Sequence, residues 1–532
     1  MLPIAENPQN NISFKTMAHS LLRQGSILSL LTLISRILGL LREMTKAALL
    51  GTSVLSDAFS VAFMIPNLFR RLFAEGSVAV AFIPTFKEYL QEDKPAQLKE
   101  FLSCTLTMLT CLVTCVVVLG VLVTPAIIAI FGIEAFDETV LLTRLMFPFL
   151  AFISIAALFQ GILNSVHCFA PSGFAPIVLN IVTIACAYGL SRFVANPARA
   201  LAAGILIGGF LEGAIQLPFV LKKGFRFFFT SLRTAIRNPG VQRIFRLIVP
   251  TIIGMAAYQL NDLVSTVLAG NVGAGTVSSL QYSLRLQELI LGVFAVSLGT
   301  VLLPHLTDYA QSGRWEHYSD QLGSCVKSIA LLTIPITFFT LGSGESLVRL
   351  LFQGRSFDES SVALTVAAFQ WHMPGLFFIA LNRILAPAFY AQSNSASPTK
   401  AGIVSFLVNI VLAAALAVPF KGAGIAAALS IASAVNTVLL FIFLKKNSQI
   451  AVKQIVSGVC TYSLKLIVFS ALAVMPALYL NTLLLPIFDG HNRIISLGIP
   501  LALAGIVYAL LGLGLLFVTG DKHIRALIRE KR

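Results

Sequence analysis

The chain has 532 residues, 57% hydrophobic and 11% charged; soluble domains carry about 25% charged residues, so this composition reads as an integral membrane protein. A net charge of +15 would suit nucleic acid, but its distribution excludes that partner. With the N-terminus in the cytoplasm, 24 Lys and Arg fall on cytoplasmic segments and helix ends, six on the opposite side (Arg192, Arg199, Arg349, Arg355, Lys421 and Arg493) and eight within spans. That bias is the positive-inside rule: it places both termini in the cytoplasm and assigns the basic excess to topology and to anionic headgroups.

Apolar segments of about 20 residues recur from end to end, as in helical membrane proteins and unlike the alternating strands of a barrel. The expected fold is an all-α polytopic membrane protein of about 14 transmembrane helices, at 24–50, 57–86, 103–131, 140–164, 173–191, 200–221, 244–269, 276–305, 323–342, 362–391, 401–419, 423–444, 460–480 and 493–518. A cytoplasmic segment 1–23 precedes them, linkers at 222–243 and 445–459 interrupt them, and a basic tail 519–532 follows. The first apolar run is no secretory signal, because Arg36 breaks it and no small-residue cleavage site follows.

The first span contains "SRILGLLREM" (35–44). On a helix, Ser29, Thr32, Ser35, Arg36, Gly39, Arg42, Glu43 and Lys46 fall in a sector about 140° wide, and leucines and isoleucines cover the rest. Such a stripe aims charge at a bundle interior or a wet cavity. The second span holds "IPNLFRRLFAEGS" (65–77): Pro66 kinks or breaks it, Asn67, Arg71 and Glu75 share a face, and Arg70 lies beside them. Asp57 is open between a cavity group and the N-cap of its own helix.

Further along, "AVAFIPTFKEYLQ" (79–91) matches "GTVLLPHLTDYAQ" (299–311) at an offset of 220, and Pro148 with Asn180-Ile181 is echoed by Pro374 with Asn409-Ile410. An offset of six spans preserves orientation, so the repeat predicts two parallel six-helix lobes, 24–221 and 244–444, around a central cavity, with two extra C-terminal helices in 460–518. In the second lobe "QYSLRLQE" (281–288) groups Gln281, Arg285 and Glu288, and Arg144 and Arg383 also lie in or near spans. The seven cysteines show no CxxC or metal spacing and read as small packing residues. No HExxH and no phosphate-binding GxxxxGK[ST] loop occurs, and His305 with Asp308 reads as a solvated pair rather than a catalytic dyad. Neither an enzyme nor a resident metal or cofactor is expected.

A central arginine costs about 2.5–3.5 kcal/mol on translocon scales, so Arg36, Arg42, Arg70 and Arg285 together would cost roughly 10–14 kcal/mol uncompensated. Glu43, Glu75 and Glu288 cannot neutralise all the cations near them. Pairing that merely locks helices is the stronger reading for Arg71 and Glu75, four residues apart. For the other four arginines, surplus guanidinium predicts an anionic ligand, phosphate or carboxylate by its bidentate geometry.

These stretches resemble the MurJ/MviN lipid II flippases of the MOP exporter superfamily. "SRILGLLRE" is similar to the family's SR-x-x-G-x-x-RD signature, "SDAFSVAFMIPNLFRRLFAEGSVAVAFIP" to its second signature, and "LRLQELILGVFAVSLGTVLLP" (284–304) to a third segment. The resemblance places the family's cavity arginines on Arg36, Arg42, Arg70 and Arg285, and its polar, acidic and glycine positions on Ser35, Asn67, Asp57, Glu75 and Gly76. Glu43 stands where Asp is usual, beside Arg42; Ile290 stands where Pro is common, two residues after Glu288. The resemblance implies a non-enzymatic flippase of the bacterial inner membrane, taking lipid II (a polyprenyl diphosphate bearing a disaccharide-pentapeptide) to the outer leaflet by alternating access. It also implies a lipid-tail groove in 460–518, an energy source in a coupling ion or the membrane potential, and membrane lipids and cell-wall enzymes as neighbours. The alternatives are another MOP-type transporter, either a polyprenyl-pyrophosphate oligosaccharide flippase or a drug/cation antiporter, and a membrane scaffold. A cationic-drug antiporter calls for surplus acids, which this sequence lacks.

Overall fold

In the computed structural model, residues 8–72, 81–91, 94–521 and 523–525 are described, with side chains from 27 onward outside 249–258 and 292–301. Among them the regular structure is helical, without strands: α1 (Pro8–Leu50), α2 (Val54–Arg70), α3 (Ile83–Gln91), α4 (Pro95–Ala129), α5 (Phe136–Met146), α6 (Phe149–Ser165), α7 (Phe169–Leu190), α8 (Pro197–Lys222), α9 (Leu232–Arg237), α10 (Pro239–Gly270), α11 (Thr276–Gln311), α12 (Trp315–Phe352), α13 (Glu359–His372), α14 (Gly375–Tyr390), α15 (Ala396–Leu444), α16 (Val452–Leu484) and α17 (Ile499–Val518).

Eight helical stretches among the described residues are long and apolar enough to cross a membrane, nine when the bent pair α13–α14 is one span. That figure covers the described residues, and α15 counts once in it where two spans are expected. Helix α15 is a single stretch, but Lys421 breaks it (φ 50°, ψ −134°) between the expected spans 401–419 and 423–444. The expected spans on α1, α2, α10 and α11 each include residues outside those whose side chains are described.

The chain divides into two compact units, Met1–Lys46 with Ala58–Gln259, and Ala47–Asp57 with Leu260–Arg532. In the first, an aromatic core joins α3, α4, α6 and α8: Phe82, Phe86, Phe101 and Phe159 are buried with Val220 and Phe225. Tyr89 stacks on Phe101 at 4.5 Å between ring centroids. Helix α8 lies close against α7 because Gly204 and Gly208 face it. A Cβ on Gly204 would sit 2.8 Å from the Thr183 Cα, and one on Gly208 3.2 Å from the Leu179 Cα, so only the small-xxx-small pattern allows that approach.

In the second unit the α1–α2 turn is bound tightly. Tyr282, fully buried, donates to the Gly51 carbonyl at 3.0 Å, and Thr52 meets Ser361 at 2.9 Å. Asp57 does not cap its own helix. Ser53 does so, its Oγ accepting from the Ser56 N–H. Both Asp57 oxygens instead accept backbone N–H groups at the start of α11, from Gly275 at 2.7 Å and Ser278 at 2.8 Å. A carboxylate there satisfies orphan donors and meets the positive end of the helix dipole.

Asn180 donates to the Ser35 carbonyl on α1, and Asn409 donates to Asn261 Oδ1 at 2.8 Å and Ser265 Oγ at 3.2 Å on α10. The paired prolines differ, since Pro84 is the second residue of α3 and Pro304 lies inside α11.

At Pro374 the span α13–α14 bends by 48°. Proline supplies no N–H, and the bend frees carbonyls that lipid cannot satisfy. Two side chains answer them, Ser430 donating to Trp371 O at 2.6 Å and Gln287 to His372 O, and Thr337 adds a bond at 3.2 Å to Met373 O, which already accepts from the Leu376 N–H. At the chain's end, Lys465 on α16 pairs with Asp521 at 2.8 Å, and Ile524 is buried against Tyr462 and Leu466.

Candidate functional site

The first unit gathers charge where α1 and α2 meet. Arg42 donates to Glu43 at 3.0 Å, and the other oxygen of Glu43 lies 3.8 Å from Lys46 Nζ. Lys46 also donates to Ser60 Oγ on α2 at 2.9 Å, and the Arg42 guanidinium lies over the Phe63 ring at 5.7 Å. The stripe of α1 holds these groups half-buried or buried, while Leu30, Leu33, Ile34, Ile37 and Leu41 are exposed. For a span these exposed faces are lipid-facing, so the helix turns its apolar side outward and its charges inward.

Beyond Pro66, α2 carries the second group. Arg70 Nε donates to Asn67 Oδ1 at 2.8 Å, and Arg71 donates to Gln259 on α10 at 3.2 Å. Arg36 is half-buried, with no hydrogen bond or ion pair among the described residues, and Ser35 beside it is half-buried too. Glu75 and Gly76 lie outside the described residues. Arg42 and Lys46 thus share Glu43, whereas Arg70 and Arg71 meet the amide oxygens of Asn67 and Gln259.

In the second unit, Arg285 and Glu288 on α11 pair at 3.3 Å and are more open, with 36% and 53% of their side chains exposed. Arg144 is exposed and donates to the Val121 carbonyl at 3.2 Å, and Arg383 is exposed on α14. His305 and Asp308 are both exposed. The structure therefore brings Arg42 to Glu43, Arg70 to Asn67, and Arg285 to Glu288, and it assigns Asp57 to the α11 terminus. The sequence reading of site residues missed Lys46, Ser60, Phe63 and Gln259. Lys46 carried a signal, three residues after Glu43 on the polar stripe; the others depend on which helices touch.

The sequence profile of the family described as lipid II flippase MurJ matches residues 46–496. The chain belongs to the MurJ family. A probable lipid II flippase MurJ of Treponema pallidum (strain Nichols) is 44% identical over 519 residues, 96% of this chain and 98% of that protein. The fold resembles a solved lipid II flippase MurJ in an inward closed conformation, with a TM-score of 0.73 at 23% identity over 92% of this chain and 99% of that one. It also resembles an inward-facing multidrug resistance MATE family transporter of the MOP superfamily, with a TM-score of 0.66 at 12% identity over 79% and 96% of the two chains. Membership in the MurJ family makes this a multi-pass protein of the bacterial inner membrane, in a family of transporters rather than catalysts. It also ties the chain to peptidoglycan synthesis and cell shape.

Proposed function

We propose that the chain moves lipid II from the cytoplasmic to the outer leaflet by alternating access. Arg36, Arg42, Arg70 and Arg285 receive the diphosphate and head group, and Ser35, Asn67, Glu43, Glu75 and Glu288 orient them. Asp57 acts on this set through the start of α11 rather than by touching the lipid. The observation that carries the reading is the cationic surplus where α1 meets α2, in a chain of the MurJ family. Guanidinium groups suit diphosphate because their fork of donors binds two oxygens at once. Surplus cations argue against a cationic-drug antiporter.

The two lobes of the repeat, 24–221 and 244–444, rock about a midplane site, and α16 with α17 supplies the groove for the polyprenyl tail. Both termini are cytoplasmic, as the Lys and Arg bias requires. Membrane potential or a coupled ion drives the cycle, since a cavity charge crossing the field gains about 2.3 kcal/mol per 100 mV. No resident cofactor takes part; lipid II is the ligand, and cell-wall enzymes receive it.

Complementation tests this in a bacterium depleted of its own lipid II flippase. Wild type should restore outer-leaflet lipid II and growth, whereas Arg42→Ala and Arg285→Ala at matched membrane levels should not. Full rescue by both variants would make the arginines structural and end the proposed mechanism.

A further inference from the structure

Glu43 sits between two cations and is shared unequally. Toward Arg42 it makes a full charge-assisted hydrogen bond at 3.0 Å, and toward Lys46 it stands at 3.8 Å. An ordinary ammonium–carboxylate contact is about 2.8 Å, so the second is about 1 Å from closing. Lys46 has 4% of its side chain exposed and is tethered by Ser60; Arg42 is backed by the Phe63 ring. A buried lysine in a span is costly, and this one lies a turn along α1 from Glu43, on the side away from Arg42's bond.

We propose that Glu43 is the resident counter-ion of Arg42, exchanged for the substrate's diphosphate, and that Lys46 is the positioning residue that takes up the displaced carboxylate. The inference rests on the reading of Arg42 as a diphosphate ligand and adds how that ligand is freed. Diphosphate and Glu43 compete for one guanidinium, and two anions a few ångströms apart repel. Closing the contact to Lys46 draws the carboxylate away without altering the charge of the cluster. Its return to Arg42 expels the anion. The cluster is thereby built to release as well as to bind, which a transporter needs on the far side of the membrane.

A double-mutant cycle on the full-length protein tests this, with farnesyl diphosphate as the binding probe in detergent and lipid II flipping in vesicles as the second readout. Lys46→Met should weaken probe binding about tenfold, because Glu43 then stays on Arg42, and Lys46→Arg should restore it. Glu43→Gln should tighten binding and slow flipping, since nothing returns to Arg42 on release. In the Glu43→Gln background, adding Lys46→Met should change binding by less than about twofold. An equal loss with and without the Glu43 charge would overturn the exchange, as would a lowered melting temperature that tracks every Lys46 variant including Lys46→Arg. If the wild type binds neither farnesyl diphosphate nor lipid II, the flipping reading itself falls and the exchange goes with it. If it binds both and Lys46→Met binds like wild type, only the exchange is wrong.

Discussion

The charged helices of the two units solve one problem in different ways. On α1 a single carboxylate serves two cations, all three groups largely sequestered, with 16%, 18% and 4% of the Arg42, Glu43 and Lys46 side chains exposed. On α11 one arginine meets one glutamate in the open, and the pair is neutral. The first arrangement keeps a positive remainder and resists disruption. The second is an exposed ion pair of about 0–1 kcal/mol, which an arriving anion can part at little cost. Spacing makes the difference, because Glu43 has a cation on either side along α1 and Glu288 has only Arg285 three residues before it. The sequestered cluster holds a net positive charge in place, and the open pair holds none.

The sharpest way to break this comparison is Arg42→Ala. It should cost about 100-fold in lipid II flipping, since hydrogen bonds to charged groups are worth about 1.5–3 kcal/mol and Glu43 loses its bond to Arg42. Outer-leaflet labelling of lipid II at matched membrane levels measures it. Asp57→Ala probes a charge whose work is structural. Stranding the Gly275 and Ser278 N–H groups should lower stability by about 2–4 kcal/mol, read as a lower melting temperature in detergent, and Asp57→Asn should fall between. Arg285→Ala should reduce flipping by about tenfold while leaving the melting temperature unchanged, because its ion pair adds little to stability. A drop in melting temperature as large as that of Asp57→Ala would show the two units to be alike after all.

The smallest effect is one of pH, at a charge outside the spans. Burial pushes the Asp521 carboxyl up, but the Lys465 contact and the Ile524 and His523 N–H groups outweigh it and hold it below its ordinary value of 3.8. A carboxyl depressed on folding contributes stability that is present above its unfolded value and lost as pH falls through the folded one. Amides of 523–525 should therefore exchange faster only below about pH 4, and Lys465→Met should move that onset upward. Hydrogen exchange followed by mass spectrometry reads both.

Much of this was legible in the chain itself. Long apolar runs gave the helical class, since nothing else satisfies backbone polar groups in hydrocarbon. The stripe of α1 put Arg42 and Glu43 together, whereas the bend at Pro374 lies inside the single expected span 362–391. What periodicity could not show was pairing between distant helices. Asp57 meets Gly275 across 218 positions of sequence, and the bond between Lys46 and Ser60 requires that α2 fold back on α1 in one register. A pattern read along one helix says which side is polar, not which neighbour lies there. That is also why Asp57 stays open in the sequence between a cavity group and the cap of its own helix, a place the serine four residues earlier fills.

The bend at Pro374 has a consequence for motion. Side chains of three separate helices hold it, Gln287 of α11, Thr337 of α12 and Ser430 of α15. Straightening or twisting the elbow would strand the Trp371 and His372 carbonyls together, in a medium that offers no substitute. The broken span is therefore a weld rather than a joint, and it ties four helices into one stiff block.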